Sequence, residues 1–296
     1  QESQKRFDLG HGHEEVYAVE YKKQQDERHK EATEYFRVNP HRLNLGIIGL
    51  EMKNADDQPV KLSDVKAIRQ EQKLYDGLIE SQFVVDGFPV DVITAAVQDR
   101  DAVIYRIKTP MLKAGRARVA IRLPYPTGKH ADDAADLDKP QLHTSHIINS
   151  TDASSNLHSA IVEHLMDSTR YYLLLRWEGD AVLEECAPHH FELLPTSGSD
   201  VLTFEAQYVP TLTADLQNRR EAFLFDQQLK TVIKTWNHWW QQGAIIDFSQ
   251  CTDPRAKELE RRVVRSQYLT QVNCANALPP QETGLTYNSW FGRPHL

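Results

Sequence analysis

The sequence predicts a mainly β protein, a large antiparallel β-sandwich followed by amphipathic helices. Two observations predict it. Short runs rich in β-branched and aromatic residues, about a dozen of them, are broken by turn signals as far as Val209. After Pro210 the apolar spacing changes from the period of a strand to that of a helix.

The strands follow in order. Residues 16–21 open the series, and 42–51 come next after a charged stretch. Residues 79–97 read as a hairpin about Asp86-Gly87, because the tight turn needs positive φ and glycine supplies it at no steric cost. Residues 103–107 and 116–123 alternate apolar with polar, the pattern of a strand buried on one face. Residues 171–177 and 181–185 flank Glu178-Gly179-Asp180, a second hairpin signal. Residues 190–194 and 201–209 close the β-region. The dense charges of residues 24–35 fit a solvated short helix or an exposed loop better than a binding arm.

The helices follow from their spacing. Phe225, Leu229, Val232, Trp236 and Trp239 lie at steps of 4, 3, 4 and 3, broadened by Ile233 and Trp240. This is an apolar stripe ended by Gly243, and it predicts core packing rather than a sugar platform. Residues 253–276 form a second helix, with Asp253 as cap and Pro254 at the first helical position, stopped by Pro279-Pro280.

Composition narrows the function classes. The 296 residues carry a formal net charge of -8, and no Lys/Arg cluster interleaves with aromatics, so no nucleic-acid footprint is present. No apolar run is long enough to span a membrane as a helix. Cys186, Cys251 and Cys274 are too few and too scattered for a disulfide framework and read as small packing residues. Nucleotide-loop and nucleophile-elbow motifs are missing. No metal is expected: His11-Gly12-His13-Glu14 is a weak chelating run, His143 and His146 point to opposite faces of a strand, and His189-His190 is no stronger.

Two segments hold candidate site chemistry. Residues 124–142 connect two strands over about 20 residues, a length that is uncommon without a function. Tyr125, His130, Asp132 and Asp133 are its candidates for reaching a neighbouring pocket, and the loop is expected to lean toward the C-terminal helix; an acidic surface loop is the alternative. Residues 282–295 offer the flat faces of Trp290 and Phe291 beside hydrogen-bonding Asn288, Arg293 and His295. That combination suits a sugar ring, which has an apolar C–H face and a polar rim; a packed inter-helix loop is the alternative.

The most specific motif is Thr252-Asp253-Pro254-Arg255 through Val264, with Pro280-Gln281-Glu282-Thr283-Gly284-Leu285 and Asn288-Ser289-Trp290-Phe291-Gly292. It resembles the start of the (α/α)6 barrel in six-hairpin glycosidases related to glycoside hydrolase family 65. Phe7-Asp8-Leu9-Gly10-His11-Gly12, Asn39-Pro40-His41-Arg42-Leu43 and Tyr125-Pro126-Thr127-Gly128 resemble the same proteins. The resemblance implies a β-supersandwich over 1–212, a helical linker over 213–252, and the start of a catalytic barrel over 253–296. Gly292 to Leu296 matches the family only in part, since no Trp-Asp follows. The resemblance further implies an internal piece of a longer enzyme, cleaving an α-glucoside or related oligosaccharide by inversion, with its catalytic Glu downstream of Leu296. It implies no cofactor and a periplasmic or extracellular setting. The partners it implies are the oligosaccharide and either a second copy or the remainder of the enzyme. A non-catalytic carbohydrate-binding or structural sandwich is the alternative reading.

Overall fold

The computed structural model describes residues 4–18, 27, 28, 30, 31, 43–127, 133–150, 158–196, 198–219, 221–244 and 246–274. The described strands are β1 (Gln4–Gly10), β2 (His13–Ala18), β3 (Ile47–Met52), β4 (Lys66–Lys73), β5 (Leu78–Val85), β6 (Phe88–Val97) and β7 (Ala102–Lys108). They continue with β8 (Ala117–Arg122), β9 (His143–Ser150), β10 (Ser159–Met166), β11 (Thr169–Glu178), β12 (Ala181–Ala187), β13 (His190–Pro195) and β14 (Val201–Val209). The helices are α1 (Pro110–Lys113), α2 (Ala214–Gln217), α3 (Phe225–Gln242) and α4 (Ala256–Cys274). The protein is therefore mainly β and antiparallel, as its sequence predicts.

An eight-stranded sheet runs β4-β5-β6-β7-β14-β11-β10-β9, and a four-stranded sheet runs β12-β13-β8-β3. A separate hairpin pairs β1 with β2. Alternating side chains of the two large sheets meet in the main core. Ile107, Phe204, Leu173, Leu175 and Val162 come from the larger sheet, and Val119, Ile121, Phe191 and Leu193 from the smaller. The Asp86-Gly87 turn joins β5 to β6 with φ of 50° and 79°, the left-handed pair a two-residue hairpin requires.

The outer face of the larger sheet carries the helices. Leu78 of β5, Ala95 of β6 and Ile104 of β7 pack against Phe225, Val232, Trp236 and Trp240 of α3 and against Val264 and Tyr268 of α4. The Trp236 ring stacks on Tyr268 at 5.0 Å. The Trp240 indole N–H donates to the Leu74 carbonyl at 3.0 Å. The stripe is thus core, as its spacing predicts, but its last member is Trp240, with Trp239 half-buried. Gly77 lies directly beneath Trp236. A Cβ at that position would come within 1.9 Å of the indole, and φ there is +69°. α4 begins at Ala256 because Asp253 first closes a turn, accepting the Arg255 N–H on its side chain at 2.8 Å and the Ala256 N–H on its carbonyl at 3.0 Å. Leu259, Leu269 and Val272 remain exposed on this helix.

Three expectations are corrected. The cysteines are exposed rather than packed: Cys186 faces outward from edge strand β12, Cys251 sits in the turn before α4, and Cys274 ends α4. The described part of 124–142 is not structureless. Tyr125 and Asp136 form a bridge, Asn44 Nδ2 donates to the Asp133 carbonyl at 3.2 Å, and Ala134 is buried. Nor does that part lean toward α4. Tyr125 lies against His143 at the β9 edge, whereas α4 reaches β4 through Gln72 Nε2 and the Tyr268 hydroxyl, at the other edge. Three strands also escape the sequence pattern: β1, β4 and β10. β4 is an edge strand whose sequence, Lys-Ala-Ile-Arg-Gln-Glu-Gln-Lys, has almost no apolar face.

Trp236→Ala should lower stability by about 3–5 kcal/mol, the cost of truncating a large buried aromatic, measured by urea denaturation. A loss below about 1 kcal/mol would contradict the packing described.

Candidate functional site: a buried histidine cluster

Strand register brings three histidines together. His143 on β9 pairs with Met166 on β10, Ser145 pairs with His164, and His164 pairs in turn with Tyr171 on β11. Residues directly opposite one another share a face. His143, Ser145, His164 and Tyr171 therefore all point inward with Val162 and Leu173. His189, in the turn between β12 and β13 at φ +61°, arrives from the smaller sheet. All three histidines are buried, and the rings of His143 and His189 stack at 3.5 Å.

Hydrogen-bond partners assign the tautomers. The Tyr171 hydroxyl donates to the Leu45 carbonyl at 2.8 Å, so it accepts from His164 Nδ1–H at 2.5 Å. His164 Nε2 is then a lone pair, and His143 Nδ1–H donates to it at 2.7 Å. His189 Nε2–H donates to the Pro140 carbonyl at 2.9 Å, which leaves Nδ1 to accept from the Ser145 hydroxyl at 2.5 Å. His143 and His164 are held neutral in this arrangement. Burial, with His189 alongside, holds His143 down at about 4. Burial, with His143 and His189 alongside, holds His164 at about 3. Burial likewise pushes the Tyr171 phenol up.

The cluster borders a cavity of about 190 Å³ lined by Arg122, Leu123, Leu137, His143, His189 and His190. Beside it, Glu51 accepts from Arg122 and lies 3.5 Å from His190 Nε2, while Glu192 lies 3.0 Å from Arg118 Nε. One ring nitrogen from each of His143, His164 and His189 lies within 4.8 Å of the other two, so these residues have the donor set for a cation. The sequence reading misses the cluster because it weighs only neighbours along the chain. It does place His143 and His146 on opposite faces, and His146 is exposed. One partner of His143, His164, comes from the neighbouring strand through register, and the other, His189, from a turn of the second sheet.

Acid–base hydrolysis needs a different arrangement, a pair of carboxylates with one held protonated. Among the described residues the buried carboxylates are Glu192 and Glu205. Glu205 accepts from Arg176 Nε and Nη2, at 3.1 and 2.6 Å, and also from Arg100. Glu192 faces Arg118. Both are thus engaged in ion pairs with arginines.

Of the sequence-predicted site residues, Tyr125 and Asp133 are described, and Asp133 is exposed. The Tyr125 hydroxyl reaches Asp167 Oδ2 at 3.4 Å, and its ring lies 5.6 Å from His143. His130, Asp132, Asn288, Trp290, Phe291, Arg293 and His295 lie outside the described residues, as does Glu282.

No known protein family and no curated protein sequence matches the chain. Among solved structures, the chain is similar to a protein described as a kojibiose phosphorylase from the human microbiome, at 12% identity and a TM-score of 0.47, over 80% of this chain and 33% of that one. It is also similar to a bacterial glucoamylase complexed with acarbose, at 7% identity and a TM-score of 0.41, over 66% and 31% of the two chains. The chain thus spans about a third of the length of these structures. Neither likeness assigns a role to a residue here.

The neutral cluster makes stability depend on pH. Both states leave His143 and His164 neutral above about pH 6.5, the ordinary histidine value. As pH falls below that, the unfolded chain binds protons that native His143 and His164 refuse until about 4 and 3. Stability therefore falls with pH across this window. The two residues add a slope of at most about 2.7 kcal/mol per pH unit. Urea midpoints from pH 7 to 4.5 in chelator should fall more steeply for the wild-type chain than for a His143→Gln/His164→Gln variant. Parallel slopes would contradict the assignment.

Proposed function

We propose that this chain is the β-sandwich and first helices of a carbohydrate-active enzyme that cleaves the glycosidic bond of an α-glucoside or related oligosaccharide. The observation that carries the proposal is the motif from Thr252 to Gly292, which resembles the start of a six-hairpin barrel. The layout supports it: a sandwich comes first, and two helices then seat on its outer face through Trp236, Trp240 and Tyr268. The division at 1–212, 213–252 and 253–296 belongs to the same proposal.

In this reading the sandwich supports and the helical part reacts. A Glu downstream of Leu296 protonates the glycosidic oxygen. Water, activated by a second carboxylate, or phosphate, which needs no such base, attacks from the opposite face and inverts the anomeric carbon. Trp290 and Phe291 stack on the sugar, while Asn288, Arg293 and His295 hold its hydroxyls. The enzyme needs no cofactor for this chemistry. The ion-paired state of Glu192 and Glu205 favours a supporting role for the sandwich over a second catalytic centre within it.

The chain as given should not hydrolyse an aryl α-glucoside, with or without phosphate, measured by release of the chromophore. Sustained turnover abolished by substituting Glu192 or Glu205 would place the chemistry in the sandwich and overturn the division of labour. For the wider reading, the reading frame beyond Leu296 should encode further helical hairpins and a Glu-bearing loop. A frame that encodes no such hairpins would contradict it.

A further inference from the structure

The geometry points to His143, His164 and His189 as a binding site for a divalent first-row transition ion such as Zn²⁺, inside the sandwich and independent of any sugar site.

Two of the three rings are already set as ligands. His164 donates its outer nitrogen, Nδ1–H, to a Tyr171 hydroxyl that the Leu45 carbonyl anchors. His189 donates its outer nitrogen, Nε2–H, to the Pro140 carbonyl. An oxygen acceptor on the far nitrogen is the arrangement that fixes the tautomer and the orientation of a metal-bound imidazole. The inner nitrogens, His164 Nε2 and His189 Nδ1, are consequently bare lone pairs inside the sandwich. Each is satisfied by a donor that can leave, His143 Nδ1–H for one and the Ser145 hydroxyl for the other.

A cation replaces both donors. His143 becomes the third ligand by passing its proton from Nδ1 to Nε2, so that all three imidazoles bind neutral and no net proton is released. Nitrogens around a tetrahedral Zn²⁺ at about 2.0–2.1 Å from the metal lie about 3.3 Å apart. In the metal-free cluster one pair stands at 2.7 Å and none exceeds 4.8 Å. His143, stacked on His189, is the ring that must turn. Its place on the lining of the 190 Å³ cavity leaves a fourth position for water. Three imidazoles with no carboxylate select against Ca²⁺ and Mg²⁺, which take oxygen ligands.

Chelator-stripped protein should bind about one equivalent of Zn²⁺ or Co²⁺ at micromolar metal, with a rise in Tm and, for Co²⁺, visible d–d bands. Zn²⁺ should shift the ring ¹⁵N signals of His143, His164 and His189 together, a readout that needs no variant. His164→Gln, checked for folding by circular dichroism, should lose this binding at least tenfold. A His11→Ala/His13→Ala variant should retain it, since that run is the competing chelator. Absence of uptake at micromolar metal would overturn the assignment. So would unmoved imidazole signals, or binding that survives His164→Gln and disappears with His11 and His13.

Discussion

Strand β14 is buried on both faces, and much of the architecture follows from that constraint. Its inward residues, Leu202, Phe204 and Ala206, belong to the core between the sheets. Its outward residues, Thr203, Glu205 and Gln207, are polar and also buried. A buried carboxylate persists only if its charge is matched. Arg176 on β11 and Arg100 at the head of β7 match Glu205 from both neighbouring strands. The same arginine reaches onward to Gln228 of α3 at 3.1 Å, and Arg106 on β7 covers Phe225 while pairing with Asp226. The ion network thus ties the sheet to its helix where the apolar seat of Trp236 leaves off. Its value is chiefly orientation, since buried ion pairs return little net stability but cost much when one partner is lost.

The histidine cluster solves a similar problem on the other face. Toward the β9 edge the inner face of the larger sheet turns from Val162 and Leu173 to Ser145, His164 and Tyr171. These polar groups are buried yet fully engaged. Each histidine proton has an acceptor, and the chain ends on backbone carbonyls of Leu45 and Pro140. Those carbonyls belong to the segments before β3 and before β9. The cluster therefore also pins two connections that carry few apolar anchors, and Tyr125 joins it from the long connection after β8. A buried polar network engaged in this way favours a unique packing.

How much of this was legible in the sequence depended on whether the signal was local. The Asp86-Gly87 hairpin, the alternation in β7 and β8, and the stripe of α3 are local patterns, and the structure realises each of them. β4 carries no apolar periodicity because it is an edge strand with an exposed face, so its sequence offered nothing to detect. β10 mixes apolar and polar residues on both faces, with Ser159 and Glu163 on one and His164 on the other, and so shows no clean alternation. The ring contacts of His143 were illegible for a stricter reason: His143, His164 and His189 are joined by register and by a turn from the second sheet, and neither is encoded in the spacing between them. The cysteines show the converse error, in which a residue type that is usually buried lies on an edge strand, in a turn and at a helix end.

Sheet and helices form one cooperative body, with the outer face of β5, β6 and β7 serving as the platform on which α3 and α4 pack. Native-state hydrogen exchange tests this cooperativity directly, because α3 amides can open with the sheet or without it. The amides of Val232 and Trp236 should share the opening free energy and the denaturant dependence of those of Ile104 and Phe204. Exchange of α3 through a separate, low-energy opening while β7 and β14 stay protected would contradict it.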